Sequence, residues 1–247
     1  MKKRTFGLIG YPLSHSFSKK YFTEKFAREG ITDAHYELFE IKTIAEFPAL
    51  TQAQKSLTGL NVTIPYKQQV MPYLDRLDEV AEKIGAVNTI KFGKNGEKSG
   101  HNSDYYGFRG SLEKWLNGTK IKNALVLGTG GASKAVLVVL QDMGMAPQVV
   151  SRTGSAKAIS YENLRQKSLS DYPLIINTTP LGMTPKIESF PDIDYAQLTS
   201  VHYCYDLVYN PEETTFMKKA AAQGAKTKNG LEMLHLQAEK SWEIWNR

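Results

Sequence analysis

The sequence predicts an α/β protein with largely parallel sheets, divided into two domains. Three observations carry this. Short apolar runs alternate with helix-like stretches from one end of the chain to the other, the pattern of successive βα units. In mid-chain a fresh apolar run, Ala124–Leu127, opens onto a cluster of glycines and then a helical stretch. The last stretch, Leu231–Trp245, is helical in period and apolar on one face.

The apolar runs Phe6–Ile9, Tyr36–Phe39, Leu60–Thr63, Val87–Phe92, Ala124–Leu127, Val149–Ser151, Leu174–Asn177 and Tyr203–Leu207 are the expected strands. The first helix should start at Ser16 or Ser18, because serine caps well, and stop before Gly30. Phe17, Tyr21 and Phe26 give it an apolar stripe. After the third strand, Pro65 suits the first position of a helix and would place Lys67 in its first turn. Between Lys91 and Asn102, Gly93, Asn95-Gly96 and Gly100 read as turns. The helix Tyr106–Leu116 is the expected crossover between domains. A second helix should follow the glycines to about Met143. The last helix puts Leu231, Leu234, Ala238, Trp242 and Trp245 on one face, which predicts that it packs back on the first domain. The expected boundaries are 1–104 with 231–247 for one domain and 105–230 for the other.

Composition narrows the class. Apolar and tyrosine residues make up 41% and charged residues 23%, which excludes disorder, collagen-like repeats and a coiled coil. The longest apolar stretch, Ala132–Leu140, is broken by Ser133 and Lys134 and falls short of the roughly 18–20 residues of a membrane span. The basic start MKKRTFGLIG runs into Tyr11-Pro12 with no long apolar region or small-residue cleavage site, so no secretory signal is expected, and the cytoplasm is the default compartment. A single cysteine, Cys204, allows no intramolecular disulfide and no Cys-based zinc site. His15, His35, His101, His202 and His235 have no metal-ligand spacing, so no metal is expected. The net charge of +6 is interspersed apart from Lys2-Lys3-Arg4. It suits a small anionic substrate or a phosphorylated cofactor better than nucleic acid or a membrane surface. A monomer and a homodimer both remain open.

The chemistry begins at Gly128-Thr129-Gly130-Gly131-Ala132-Ser133. A strand, a glycine turn and a helix in sequence form a dinucleotide-binding pattern. Gly128 allows the tight turn and Gly130 lets backbone approach a pyrophosphate. The N-terminus of the helix that follows supplies free N–H groups, which favour an anion. The next strand ends in Ser151-Arg152-Thr153, with Lys157 close behind. An NAD-binding chain usually has an acid here for the ribose hydroxyl. Arginine can instead hold a 2′-phosphate and stack on adenine, so NADP is favoured over NAD. An ordinary βα turn and a solvated arginine are the plain alternatives.

Five polar clusters remain: Tyr11-Pro12-Leu13-Ser14-His15-Ser16, Asn61-Val62-Thr63-Ile64-Pro65-Tyr66-Lys67, Ala86-Val87-Asn88-Thr89, Asn102-Ser103-Asp104 and Asn177-Thr178-Thr179-Pro180-Leu181-Gly182-Met183. Taken singly, each reads as a cap, a turn or a surface lysine.

In this order, together with the glycine loop, Ser151-Arg152-Thr153 and Gly230-Leu231-x-Met233-Leu234-x-x-Gln237-Ala238, they resemble shikimate dehydrogenase over nearly the whole chain. The resemblance implies an N-terminal α/β substrate domain, a Rossmann-like NADP-binding domain, and a C-terminal helix returning to the substrate domain. It implies reversible NADPH-dependent reduction of 3-dehydroshikimate to shikimate, on the route to aromatic amino acids. Lys67 and Asp104 match the catalytic pair. Ser14 and Ser16 match the hydroxyls that meet the substrate carboxylate, with Tyr209 nearby, and Thr63, Asn88 and Gln237 match partners of the substrate hydroxyls. Gly128, Thr129, Gly130, Gly131, Ala132, Ser151, Arg152, Thr153, Thr178 and Gly230 match cofactor positions. Four positions depart from the usual pattern: Ser103 for Thr, Ser151 for Asn, Thr129 for Ala, and Lys157 for a second Arg. The last would weaken the 2′-phosphate clamp. The competing readings are a quinate/shikimate dehydrogenase using NAD or NADP, a non-catalytic NADP-binding regulator, and, least favoured, a nucleic-acid binder.

Overall fold

The computed structural model describes residues 3–13 and 16–247. The chain divides into two compact units, Met1–Tyr106 with Gln237–Arg247, and Gly107–Leu236.

The first unit is built on a six-stranded sheet. Its strands are β1 (Arg4–Gly10), β2 (Ala34–Glu40), β3 (Leu57–Val62), β4 (Arg76–Leu77), β5 (Thr89–Phe92) and β6 (Lys98–His101), in the order β2-β1-β3-β5-β6-β4. β1 pairs in parallel with β2 and β3, whereas β5 runs antiparallel to both β3 and β6. The sheet is therefore mixed, not parallel throughout. β1 lies second from the edge with Phe6 and Ile9 fully buried on opposite faces, as a strand covered on both sides requires.

Helix α1 (Phe17–Arg28) starts where its serine cap predicts, with Ser16 Oγ accepting from the Lys19 N–H at 3.4 Å. It packs Phe22 and Phe26 on one face of the sheet. α2 (Phe47–Ala53) and α3 (Glu79–Ile84) follow, and Phe47 and Ala81 pack on the other face.

Two expectations give way here. The glycine-marked stretch after Lys91 is a hairpin, not only turns: Gly93 N–H bonds the Glu97 carbonyl at 2.7 Å, and Gly96 takes φ +82°. Residues 98–101 then pair with β5. Their polar sequence, Lys-Ser-Gly-His, hid the strand. The helix expected from Pro65 does not form. Residues 64–70 are successive turns leading to a short 3-10 helix, Met71–Tyr73. The carbonyl of Lys67 accepts from the Val87 N–H at 2.7 Å, so it is withdrawn from any helical ladder.

Helix α4 (Ser103–Leu116) begins three residues earlier than its apolar pattern suggests. The cause is capping: Asn88 Oδ1 accepts from the Ser103 N–H at 2.6 Å, and Asn102 Oδ1 from the Tyr105 N–H at 3.3 Å.

The second unit holds an all-parallel sheet of β7 (Asn123–Leu127), β8 (Ala146–Ser151), β9 (Ile159–Ser160), β10 (Leu174–Asn177), β11 (Tyr203–Asp206) and β12 (Lys226–Lys228), ordered β12-β11-β10-β7-β8-β9. Leu125, Ile175 and Cys204 are fully buried in its core. α5 (Gly131–Asp142), α6 (Tyr161–Leu164) and α7 (Thr215–Ala221) connect its strands. The two edge strands, β9 and β12, are very short and polar, as unpaired edges tend to be, and neither carries an apolar run.

α8 (Leu231–Asn246) ends the fold. Its Glu232 binds Lys114 of α4 at 2.6 Å within the second unit, and its Ser241 lies 3.1 Å from Ser103 of α4 within the first. Trp245 lies flat on Gly59, where an added Cβ would fall 2.3 Å from the indole, and its N–H bonds the Ile90 carbonyl at 3.0 Å. Among the described residues no helix is long and apolar enough to cross a membrane.

Candidate active site

In the first unit, Lys67 Nζ meets Asp104 Oδ2 at 2.6 Å, and both side chains are largely buried. The pair is far apart in sequence, and a ring of bonds closes it. Lys67 is tied through its carbonyl to Val87. The neighbouring Asn88 caps Ser103 at the start of α4. Asp104, in the first turn of α4, returns to Lys67. Asn102 Nδ2 adds a bond to the Ala86 carbonyl at 2.8 Å. The Lys67 ammonium is thus held by a carboxylate at short, charge-assisted range.

Asn88 also reaches Gln237: its Nδ2 donates to Oε1 at 3.4 Å. The structure therefore brings together Lys67, Asp104, Asn88 and Gln237. Thr63 stands at the start of the same turn as Lys67, its carbonyl accepting from the Tyr66 N–H at 2.9 Å. Ser16 caps α1 as described. Ser14 lies outside the described residues. Tyr209 belongs to the second unit and follows β11, and burial pushes its phenol above the ordinary range. Sequence reasoning missed Ser241, because nothing marks a buried serine within an apolar helix face; it joins Thr89, named only within its cluster, at Ser103.

In the second unit, Gly128 takes φ +111° and a Cβ there would fall 2.8 Å from Thr178 Oγ1. Only glycine fits that turn. Gly130 precedes α5 with open space where a Cβ would be, so backbone is approachable from outside. Gly128, Thr129, Gly130, Ser151, Arg152 and Thr178 line one cavity of about 710 Å³. Gly131 and Ala132 form the first turn of α5, and Thr153 is exposed beyond β8. Lys157 does not line the cavity. Arg165 does, in an ion pair with Asp192, and the sequence pattern gave no sign of it. Arg152 makes no ion pair among the described residues. These donors fit a phosphorylated dinucleotide: a glycine turn at a helix start, a second strand end, and an uncommitted guanidinium.

Gly230 has a packing reason for its identity. A Cβ there would lie 2.2 Å from the Leu207 carbonyl oxygen. Gly230→Ala should cost about 1–3 kcal/mol, because a backbone atom cannot step aside as a side chain can. A fall in the denaturant midpoint without a change in slope would show it.

Thr179 is held by a buried pair behind it, whereas Thr178 donates its hydroxyl to the Leu127 carbonyl at 2.8 Å. Asn177 Oδ1 accepts from the Thr179 N–H and hydroxyl, and its Nδ2 donates to Asp206 Oδ1 at 2.9 Å. Asp206 also accepts from the Thr214 hydroxyl at 2.6 Å and the Val208 N–H at 3.0 Å. Burial outweighs these bonds and raises its carboxyl from 3.8 to about 6. The folded state therefore binds this proton more tightly than the unfolded chain. The stability it lends is complete below about pH 3.8 and lost above about 6, a difference of about 3 kcal/mol. Asp206→Asn, which cannot ionise, should gain on the wild type by about that amount between pH 4 and 7. Thermal melts across that range test it, and a constant difference would refute it.

A parallel sheet opening through a glycine turn onto a cavity, in a chain that also carries a buried ammonium–carboxylate pair, defines the class as a dinucleotide-binding α/β enzyme. Comparison with known proteins gives the family. A family model described as the shikimate dehydrogenase substrate binding domain matches residues 8–90. A shikimate dehydrogenase (NADP(+)) of Methanosphaera stadtmanae is 37% identical, covering 97% of this chain and 90% of the relative. A crystal structure of a shikimate dehydrogenase in complex with NADP+ superposes with a TM-score of 0.88 at 33% identity, covering 98% of this chain and 90% of that one. A quinate dehydrogenase from Corynebacterium glutamicum, solved with NAD, gives a TM-score of 0.88 at 28% identity, covering 99% and 94%. The chain belongs to the shikimate dehydrogenase family.

Proposed function

We propose that this chain is an NADP-dependent shikimate dehydrogenase, reducing 3-dehydroshikimate reversibly to shikimate in the pathway to aromatic amino acids. The observation that carries the reading is the Lys67–Asp104 pair at 2.6 Å. When bound, NADPH supplies the hydride for the ketone carbon. Lys67, as an ammonium, meets the negative charge that develops on the ketone oxygen and can give it a proton. Asp104 aims that ammonium through a charge-assisted bond. In the oxidative direction the lysine nitrogen receives the proton of the shikimate hydroxyl.

Asn88 and Gln237 present amides to the substrate's ring hydroxyls, with Thr63 beside them. Ser14 and Ser16 take its carboxylate, and Tyr209 is a further candidate for binding the substrate. The turn Gly128–Ala132, with Ser151, Arg152, Thr153, Thr178 and Gly230, serves the cofactor. The protein works in the cytoplasm, alone or as a homodimer.

The likeness to a quinate dehydrogenase favours a second reading, oxidation of quinate with NAD. One assay separates them: absorbance at the nicotinamide band with shikimate or quinate, each with NADP or NAD. Shikimate with NADP should give the highest kcat/KM. Turnover confined to quinate with NAD would replace the proposal. Tight NADPH binding with no turnover in any combination would make the chain a regulator.

A further inference from the structure

One small polar side chain on α8, Ser241, is fully buried and surrounded by polar atoms from four segments. Asn61 Nδ2 donates to its Oγ at 2.9 Å. Thr89 Oγ1 lies 2.9 Å away and Ser103 Oγ 3.1 Å away. Its own hydroxyl reaches back one turn to the Gln237 carbonyl at 3.0 Å. Thr89 and Ser103 are fully buried as well, with their hydroxyls 3.1 Å apart. Both meet Asn88 Oδ1, Thr89 at 3.0 Å and Ser103 through its N–H at 2.6 Å.

This cluster adds little burial energy, since three hydroxyls replace what apolar groups would supply. What it adds is direction, because each bond holds only in a narrow range of angle and distance. Ser241 follows Gln237 by four residues, so the two share a face of α8. The Asn88–Gln237 bond is long, at 3.4 Å, and too weak to fix the Gln237 amide unaided. Its place is set by the rotation of the helix, which the Trp245 N–H bond to Ile90 fixes near the C-terminal end and the contacts of Ser241 fix one turn from Gln237.

We propose that Ser241 is a positioning residue for substrate recognition. It keys α8 so that the Gln237 amide stands in register with Asn88 and the first turn of α4. Ser241 itself touches no substrate. This rests on the reading of the chain as a shikimate dehydrogenase.

The test is a double-mutant cycle in steady-state kinetics with shikimate and NADP, using Ser241→Ala, Gln237→Ala and the double variant. Ser241→Ala should raise the KM for shikimate about three- to tenfold, the size of one lost neutral hydrogen bond, with kcat held within about twofold. Direct titration should give an unchanged NADPH Kd. In the Gln237→Ala background the effect of Ser241→Ala should shrink to what passes through Thr89 and Ser103 to Asn88. Ser241→Cys keeps the volume but bonds weakly. It should move KM the same way, and it decides the matter if the alanine variant does not fold. An unchanged KM in the variants that fold, or an effect that persists in full without Gln237, would overturn the proposal. Wild-type protein inactive with shikimate would instead sink the functional reading on which it rests.

Discussion

Lys67→Ala should lower kcat for shikimate oxidation by about 10²–10⁴, the range for a lost general acid–base group, with a much smaller change in KM. The lysine makes its proposed contribution where charge develops, not where the ground-state ring is held. The variant also leaves Asp104 buried without its cation, so stability should fall by about 1–3 kcal/mol. These two effects can be separated. Lys67→Met combined with Asp104→Leu removes both charges and should recover most of the stability, while activity stays lost. Stopped-assay rates and melting curves on the same samples provide the check. Near-normal kcat with a raised KM in Lys67→Ala would remove the lysine from the chemistry and leave it a binding group.

Arg152→Ala is the second large effect. Its guanidinium lines the glycine-turn cavity and has no ion-pair partner among the described residues, so its charge is available to an incoming phosphate. A charge-assisted bond is worth about 1.5–3 kcal/mol, which corresponds to a loss of roughly ten- to 100-fold in NADPH affinity. Affinity for NADH, which lacks the 2′-phosphate, should hardly change. Fluorescence titration with both dinucleotides measures the ratio directly. Equal losses for the two would mean that Arg152 supports the cavity wall and reads no phosphate. Arg165, bound to Asp192, is the cation to vary next, because Lys157 does not face the cavity.

The α/β class was legible because its strong strands are continuous apolar runs and its first helix carries a serine cap. β7 and β10 are buried on both faces, so each is written as one apolar stretch that no turn residue interrupts. β6 and β12 were not legible, since an edge or hairpin strand needs only backbone partners and leaves no apolar mark. The turn after Pro65 misled for a different reason: the bond that stops a helix there comes from Val87, twenty residues away. The same distance effect governs the site. Lys67, Asn88, Asp104 and Gln237 could be listed from motifs, but only the fold joins them. Arg165, Asp206 and Ser241 had no local signal, because each acts through a neighbour distant in sequence.

The placement of Trp245 on Gly59 bears on how the chain matures. The first unit is closed by the final segment, Gln237–Arg247. During synthesis the stretch Gly107–Leu236 is made between the two parts of the first unit, and domains tend to fold as units. Until the final segment is in place, Phe6 and Tyr36 of the sheet and Phe22 of α1 lack the indole that packs against them. Residues 1–106 thus stay a half-built body until residues 237–247 reach them, and it is in that interval that a chaperone would find something to hold.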